Sequence, residues 1–312
     1  MGIEGSAVEL SSSIPSEKEP TSLVTRGGVV VFCLAAASIY RASVSLIPSG
    51  LLEDGFVLVL SAVFLALAVL ARRGRRFRKY WELPFAFFVF TIAGFLGDGM
   101  ISPFQRLFVN DVLHQTTTTN NPLASTVLGT VLAQLFGTLM MVIPIILLTK
   151  ASGGELRTIF LDRPRTRWGL VVGIVCILVF YFLSLRGRTE SFFPTNGVIT
   201  PSRLLALTPA LVVLVLLNGF REELWFRGLF LNKYGRFLGP VSSNLLAAVI
   251  FTSFHVQVQY SASILPFLGY ALLIGLISGW LMQKTRSILA PAIFHAGTDI
   301  PIFLVYLSYC ST

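Results

Sequence analysis

Residues 204–228 read LLALTPALVVLVLLNGFREELWFRG. The stretch from Leu204 to Leu217 is almost free of polar side chains, and it runs straight into Arg221, Glu222, Glu223 and Arg227. Ionisable groups built onto an apolar helix of membrane-spanning length are expensive and mark functional sites. The rest of the chain is therefore read by asking what surrounds these charges.

Working outward, the same apolar character recurs along the chain. Hydrophobic residues make up 54% of the 312 residues and charged residues only 12%, with a mean hydropathy of +0.77. A soluble globular domain carries about twice that charged fraction. The long apolar runs suit bilayer spans, which need about 20 residues each. They do not alternate, which disfavours barrel strands. The expected fold is an all-α, polytopic integral membrane bundle of about eight or nine spans, drawn from 29–47, 56–71, 83–97, 123–148, 168–185, 204–230, 241–255, 264–282 and 288–307. Three regions are expected: a disordered cytoplasmic tail at 1–28, transmembrane helices without a recognisable motif at 29–200, and a site-bearing transmembrane region at 201–312.

The net charge of +9 is a topology signal. Basic residues cluster between spans, at Arg72–Lys79, Lys150–Arg167, Arg221–Arg236 and Lys284–Arg286, with Lys18 and Arg26 ahead of the first. Arg106, Arg186, Arg188 and Arg203 fall in the alternate loops. By the positive-inside rule the N-terminus is cytoplasmic and the C-terminus outside, in the plasma (inner) membrane. No soluble part remains to read a nucleic-acid groove. The expected partners are membrane lipid and a peptide or protein substrate, with no nucleic acid. Cys33, Cys176 and Cys310 are far apart, in or beside apolar runs, as small core residues are. No signal-peptide pattern, no P-loop and no G-x-G-x-x-G is present.

Polar residues that carry chemistry concentrate in the last third. Glu222 and Glu223 are followed by Arg227, Phe251 by His255, and His295 by Asp299. Glu223 and Arg227 are i and i+4, the favoured orientation for a helical ion pair. That pairing leaves Glu222, about 100° around the helix, free for other work. His295 and Asp299 share a helix face, as do Phe251 and His255. Taken singly, each has a plainer explanation: a solvated helix end, a satisfied core histidine, a cap before Pro301, packing for Phe251. Three such sites on neighbouring spans would need three separate explanations. Together they can hold one water, with a carboxylate as general base and imidazoles to steer it or stabilise an oxyanion.

In order and on successive membrane helices, Glu222-Glu223-x-x-x-Arg227, Phe251-x-x-x-His255 and His295-x-x-x-Asp299 resemble the motifs of the CPBP intramembrane proteases. That family includes the type II CAAX prenyl endopeptidases and the bacteriocin-processing Abi proteins. The resemblance covers about Leu204 to Leu307. It implies an intramembrane endopeptidase acting on hydrophobic, lipidated (CAAX-like) or leader-peptide substrates. It implies Glu222 or Glu223 as the water-activating base, Arg227 as the holder of carboxylate geometry, and His255, His295 and Asp299 as the side that contacts substrate and oxyanion. The last position is commonly Asn in the family and is Asp299 here. Glu222 is favoured as base because Glu223 has the arginine.

No cofactor is required by this reading. Glu222, His255 and His295 are the candidate ligands should zinc be used, but the His-Glu-x-x-His pattern on one helix is absent, and a glutamate-activated water without metal is preferred. The alternatives are a non-catalytic membrane scaffold or immunity protein and an ion-coupled transporter. From the cytoplasmic end, His255 lies about 21 Å into its span and His295 about 10 Å into its own. The glutamates meet them only if the helix after Leu204 continues to about Phe230. That predicts one long helix and a cavity opening to the cytoplasm.

Overall fold

The computed structural model describes residues 22–47, 50–98, 102–118, 121–258 and 261–311. The helices are α1 (Leu23–Leu46), α2 (Leu51–Arg73), α3 (Glu82–Gly97), the short α4 (Pro103–Leu107), α5 (Val127–Ala151), α6 (Trp168–Leu185), α7 (Pro201–Glu222), α8 (Leu231–Ser253), α9 (Ile264–Thr285) and α10 (Leu289–Ser308). Among the described residues β structure is limited to two isolated bridges, and eight helical segments are long and apolar enough to cross a membrane. The fold is the all-α polytopic bundle that the composition implies.

Local chemistry sets the helix starts. The Thr126 and Thr200 side chains accept from the backbone N–H of Gly129 and Arg203, and Pro201 occupies the first turn of α7, where its missing N–H costs nothing. Ser22 caps α1 through Thr25. The first helix therefore begins at Leu23, and residues 23–28, expected as tail, are helical. The remaining tail residues, 1–21, lie outside the described residues, as does Lys18.

α7 does continue past the glutamates. A π-helical turn, Glu223–Gly228, carries it on, and the whole segment from Pro201 to Gly228 is one span of 28 residues. The expected span 241–255 differs. It is the second half of α8, which is broken at Gly239, where φ is 77°, and at Pro240. Lys233 and Arg236 in the first half dilute its hydropathy, so α8 is not among the eight segments that meet the criteria of length and composition.

The connections gather on two faces. On one, Asn232 reaches Thr158 O at 2.9 Å, Arg236 pairs with Glu82 at 2.6 Å, and Ile288 N–H donates to Phe160 O at 3.0 Å. On the other, Ser311 N–H meets Ser125 O, Ala262 N–H meets Phe192 O, and Arg106 pairs with Asp54 at 3.3 Å. The basic clusters expected between spans belong to the first face, except that Arg221 and Arg227 of the Arg221–Arg236 cluster are drawn into the bundle. α6 turns Val171, Val175, Leu178 and Phe182 outward, an apolar stripe suited to lipid.

α10 lies at the centre of the site-bearing half, with α6 on one side and α7 on another. Glycines permit both approaches. A Cβ at Gly297 would lie 2.7 Å from Ile177 N, and one at Gly219 would lie 2.5 Å from Ala292 O and 2.9 Å from Ala296 N. Small residues at such crossings are the usual means of packing helices in lipid, where no hydrophobic force drives them together. Gly219 brings Asn218 and Glu222 against the part of α10 that holds His295 and Asp299.

Because the atoms facing Gly219 are backbone and cannot move aside, Gly219→Ala should destabilise the protein by about 1–3 kcal/mol. Gly235→Ala, whose added Cβ meets only Ser243 Oγ at 3.9 Å, should be neutral or stabilising. Thermal unfolding of both variants in one detergent checks the contrast.

Candidate active site

The π-helical turn is where the two glutamates part company. Such turns are rare and favour functional sites, because the extra residue re-aims side chains. Glu223 is fully buried and its Oε1 accepts from Arg227 NH1 at 2.7 Å. The same oxygen lies 2.8 Å from His295 Nδ1. Arg227 is equally buried and lays its guanidinium 4.3 Å from the centre of the Phe251 ring. Gly228 closes the turn where a Cβ would meet Leu224 and, at 3.1 Å, Ile159 O.

Glu222 points elsewhere. Its side chain is 16% exposed and lines a cavity of about 170 Å³ together with Asn218, Arg221, His255 and Asp299. Asn218, one turn earlier, donates through Nδ2 to Glu222 Oε1 at 3.1 Å and to Asp299 Oδ2 at 2.9 Å. Asn218 Oδ1 in turn accepts from Gln134 at 3.2 Å and from Arg221 at 2.8 Å. His295 Nε2 stands 3.6 Å from both Glu222 Oε2 and Asp299 Oδ1.

His255 sits on the turn just after α8 rather than within the helix. Its Nδ1 lies 2.9 Å from Phe251 O. A carbonyl can only accept, so Nδ1 carries the hydrogen and Nε2 is left to act. Phe251 packs against both imidazoles, with ring centres 4.4 Å from His255 and 5.6 Å from His295. The structure thus brings all six expected residues into one neighbourhood, but in two layers. Glu222, His255 and Asp299 face the cavity, and Glu223, Arg227 and His295 stand behind them.

Three further residues belong to this network. Asn218 is four residues before Glu222, the spacing that already paired Glu223 with Arg227. Gln134 is an isolated amide in an otherwise apolar run of α5. Arg221 directly precedes the glutamates and is easily taken for a membrane-boundary charge.

The cavity does not open where the span depths suggested. Asp98 after α3, Leu123 before α5, Val258 after α8 and Tyr306 late in α10 form its outer wall, and all of them lie toward the face without the basic clusters. At the basic face, Leu229, Phe230 and Leu231 are buried below the glutamates, under the first half of α8 and the 152–167 connection. The cavity thus lies toward the face away from the basic clusters, not the side from which the span depths were counted. For a zinc ion the side chains as placed do not fit, since among the described residues no three His, Cys, Asp or Glu are gathered to hold a metal.

The arrangement defines a helical membrane protein with an acid–imidazole centre at the inner end of a polar cavity. Residues 204–301 match the family described as Rce1-like, Type II CAAX prenyl endopeptidase Rce1-like, which bears out the resemblance read from the motifs. The match takes in every residue from Asn218 to Asp299 that builds the centre, on about a third of the chain. No curated protein and no solved structure matches the chain.

Removing one partner of a buried ion pair strands the other. Arg227→Leu should therefore cost about 3–5 kcal/mol, and adding Glu223→Gln should recover part of that loss. The melting temperatures of the single and double variants check it.

Proposed function

We propose that the chain is an intramembrane endopeptidase that hydrolyses peptide bonds in hydrophobic or lipidated C-terminal segments, with Glu222 as general base. The observation that carries this is the division of labour between the glutamates. Glu223 is fully buried behind the cavity with Oε1 committed to Arg227 and His295, whereas Glu222 lines the cavity itself; Oε2 is unpartnered in both, but only that of Glu222 belongs to a cavity residue. Water takes up roughly 30 Å³ per molecule, so the cavity has room for several waters or part of a peptide.

In this reading Glu222 removes a proton from a water held against it, and the resulting hydroxide attacks the substrate carbonyl carbon. Asn218 fixes the Glu222 carboxylate through Oε1, leaving Oε2 for the water. Glu223 and Arg227 act as positioning residues: they hold the His295 ring so that Nε2 faces Glu222 and Asp299. With its hydrogen on Nδ1, His255 has an Nε2 lone pair that can accept from the attacking water, and the leaving nitrogen takes its proton from Glu222. No step is routed through a metal.

The basic face is assigned to the cytoplasm, which places the N-terminus inside and the cavity wall of Asp98, Leu123 and Val258 toward the other side. Substrate then enters from that side or laterally from lipid.

Two measurements test the proposal. Purified protein in liposomes should cleave a farnesylated CAAX peptide carrying a fluorophore and quencher across the scissile bond. Glu222→Gln should lower kcat by about 10²-fold or more, and undiminished cleavage by that variant would remove Glu222 as base. For the access route, with Cys33, Cys176 and Cys310 replaced by Ala, a membrane-impermeant thiol reagent added to intact cells should label Val258→Cys and spare Arg157→Cys. The reverse pattern would invert the assignment.

A further inference from the structure

Arg221 is a charged cavity residue to which the reading above gives no task. Arg221 lines the same cavity as Glu222, with NH2 only 3.9 Å from Glu222 Oε1. Only 11% of the side chain is exposed. NH2 donates to Asn218, but Nε and NH1 are buried and have no hydrogen-bond partner. A guanidinium cannot shed its charge and carries five N–H donors in a fixed plane. Leaving two of them dry is costly; Arg227 Nε and NH2 are unpartnered too, but of the two arginines only Arg221 lines the cavity, where an occupant can supply the acceptor.

The other groups around the cavity are poorly suited to receive negative charge. The Asn218 amide hydrogens are spent on Glu222 and Asp299. His255 Nδ1 is spent on Phe251 O and His295 Nδ1 on Glu223, and the Nε2 atoms that remain belong to imidazoles, which carry no permanent charge. Glu222 and Asp299 are acids, and Asp98 has interactions of its own. Arg221 alone among these cavity-facing groups offers a permanent positive charge with unspent N–H groups.

Resting on the peptidase reading, we propose that Arg221 is a catalytic residue that binds the oxyanion of the tetrahedral intermediate. Glu222 takes a proton from water, and the water oxygen forms a bond to the carbonyl carbon. The C=O π pair moves onto the carbonyl oxygen, which Arg221 Nε and NH1 receive. When the pair returns, the C–N bond breaks and the leaving nitrogen takes the proton from Glu222. A donor aimed at the charge that develops, rather than at the ground-state carbonyl, acts on kcat more than on binding.

The experiment compares wild type, Arg221→Gln and Arg221→Lys in liposomes with the farnesylated fluorogenic peptide. Arg221→Gln should lose about 10²–10³-fold in kcat with KM changed less than about threefold, and Arg221→Lys should fall between. Binding separates this from a structural role through Asn218. A phosphinate analogue of the peptide, which carries the tetrahedral anion, should lose affinity in Arg221→Gln by a similar factor. The reduced-amide analogue, which carries no such anion, should bind as it does to wild type. If Arg221→Gln does not fold, the same two ligands are compared on Arg221→Lys. Equal loss of both ligands, or a kcat within about threefold of wild type, overturns the proposal while the peptidase reading stands. A wild-type protein that cleaves nothing removes both together.

Discussion

A carboxylate and a guanidinium with no exposed surface, set 2.7 Å apart within one turn of a membrane helix, constrain everything around them. Neither ion can be separated from its partner without stranding a charge in a low-dielectric interior. The pair is further enclosed by Phe251 on the arginine side and His295 on the acid side, so three helices converge on it. The widened turn from Glu223 to Gly228 lets one helix both bury this pair and present the neighbouring Glu222 to a cavity. On the proposed reading the pair does no chemistry; it makes the position of the chemistry unambiguous.

The motif-free part of the chain contributes to that position. Trp225, between the glutamates and Arg227, donates its indole N–H to Phe90 O at 2.8 Å and stacks on the Phe90 ring with centres 4.4 Å apart. Arg41, the one charge inside the first apolar run, reaches Ser253 O at 3.3 Å, beside the turn that carries His255. Helices α1 and α3 thus form the back wall against which the site-bearing helices are packed. What they supply to the site is packing, a backbone acceptor and the Arg41 contact, and no residue of either helix lines the cavity.

How much of this could be read in advance follows from the range of the interactions. The bundle, the cluster of basic connections on one face, the ion pair at i and i+4, and the long helix through the glutamates all depend on neighbours in sequence or on bulk composition. Asn218 and Arg221 were within the same local reach, but a boundary charge and a lone amide look ordinary until Asp299, about eighty residues on, is beside them. The direction of the cavity was not legible, since it depends on how the first half of α8 and the 152–167 connection cover the basic face. That covering is made by hydrogen bonds such as Asn232 to Thr158, between segments with no local relation.

The break at Gly239 and Pro240 has one more effect. What remains of α8 beyond it, Val241 to Ser253, measures about 20 Å, against a hydrocarbon thickness of about 30 Å. The turn after it, held by bonds such as His255 N–H to Thr252 O at 3.0 Å, carries His255 and Val258 to the wall of the cavity. A rod cut short in this way offers its imidazole to the cavity from its end and not from its flank.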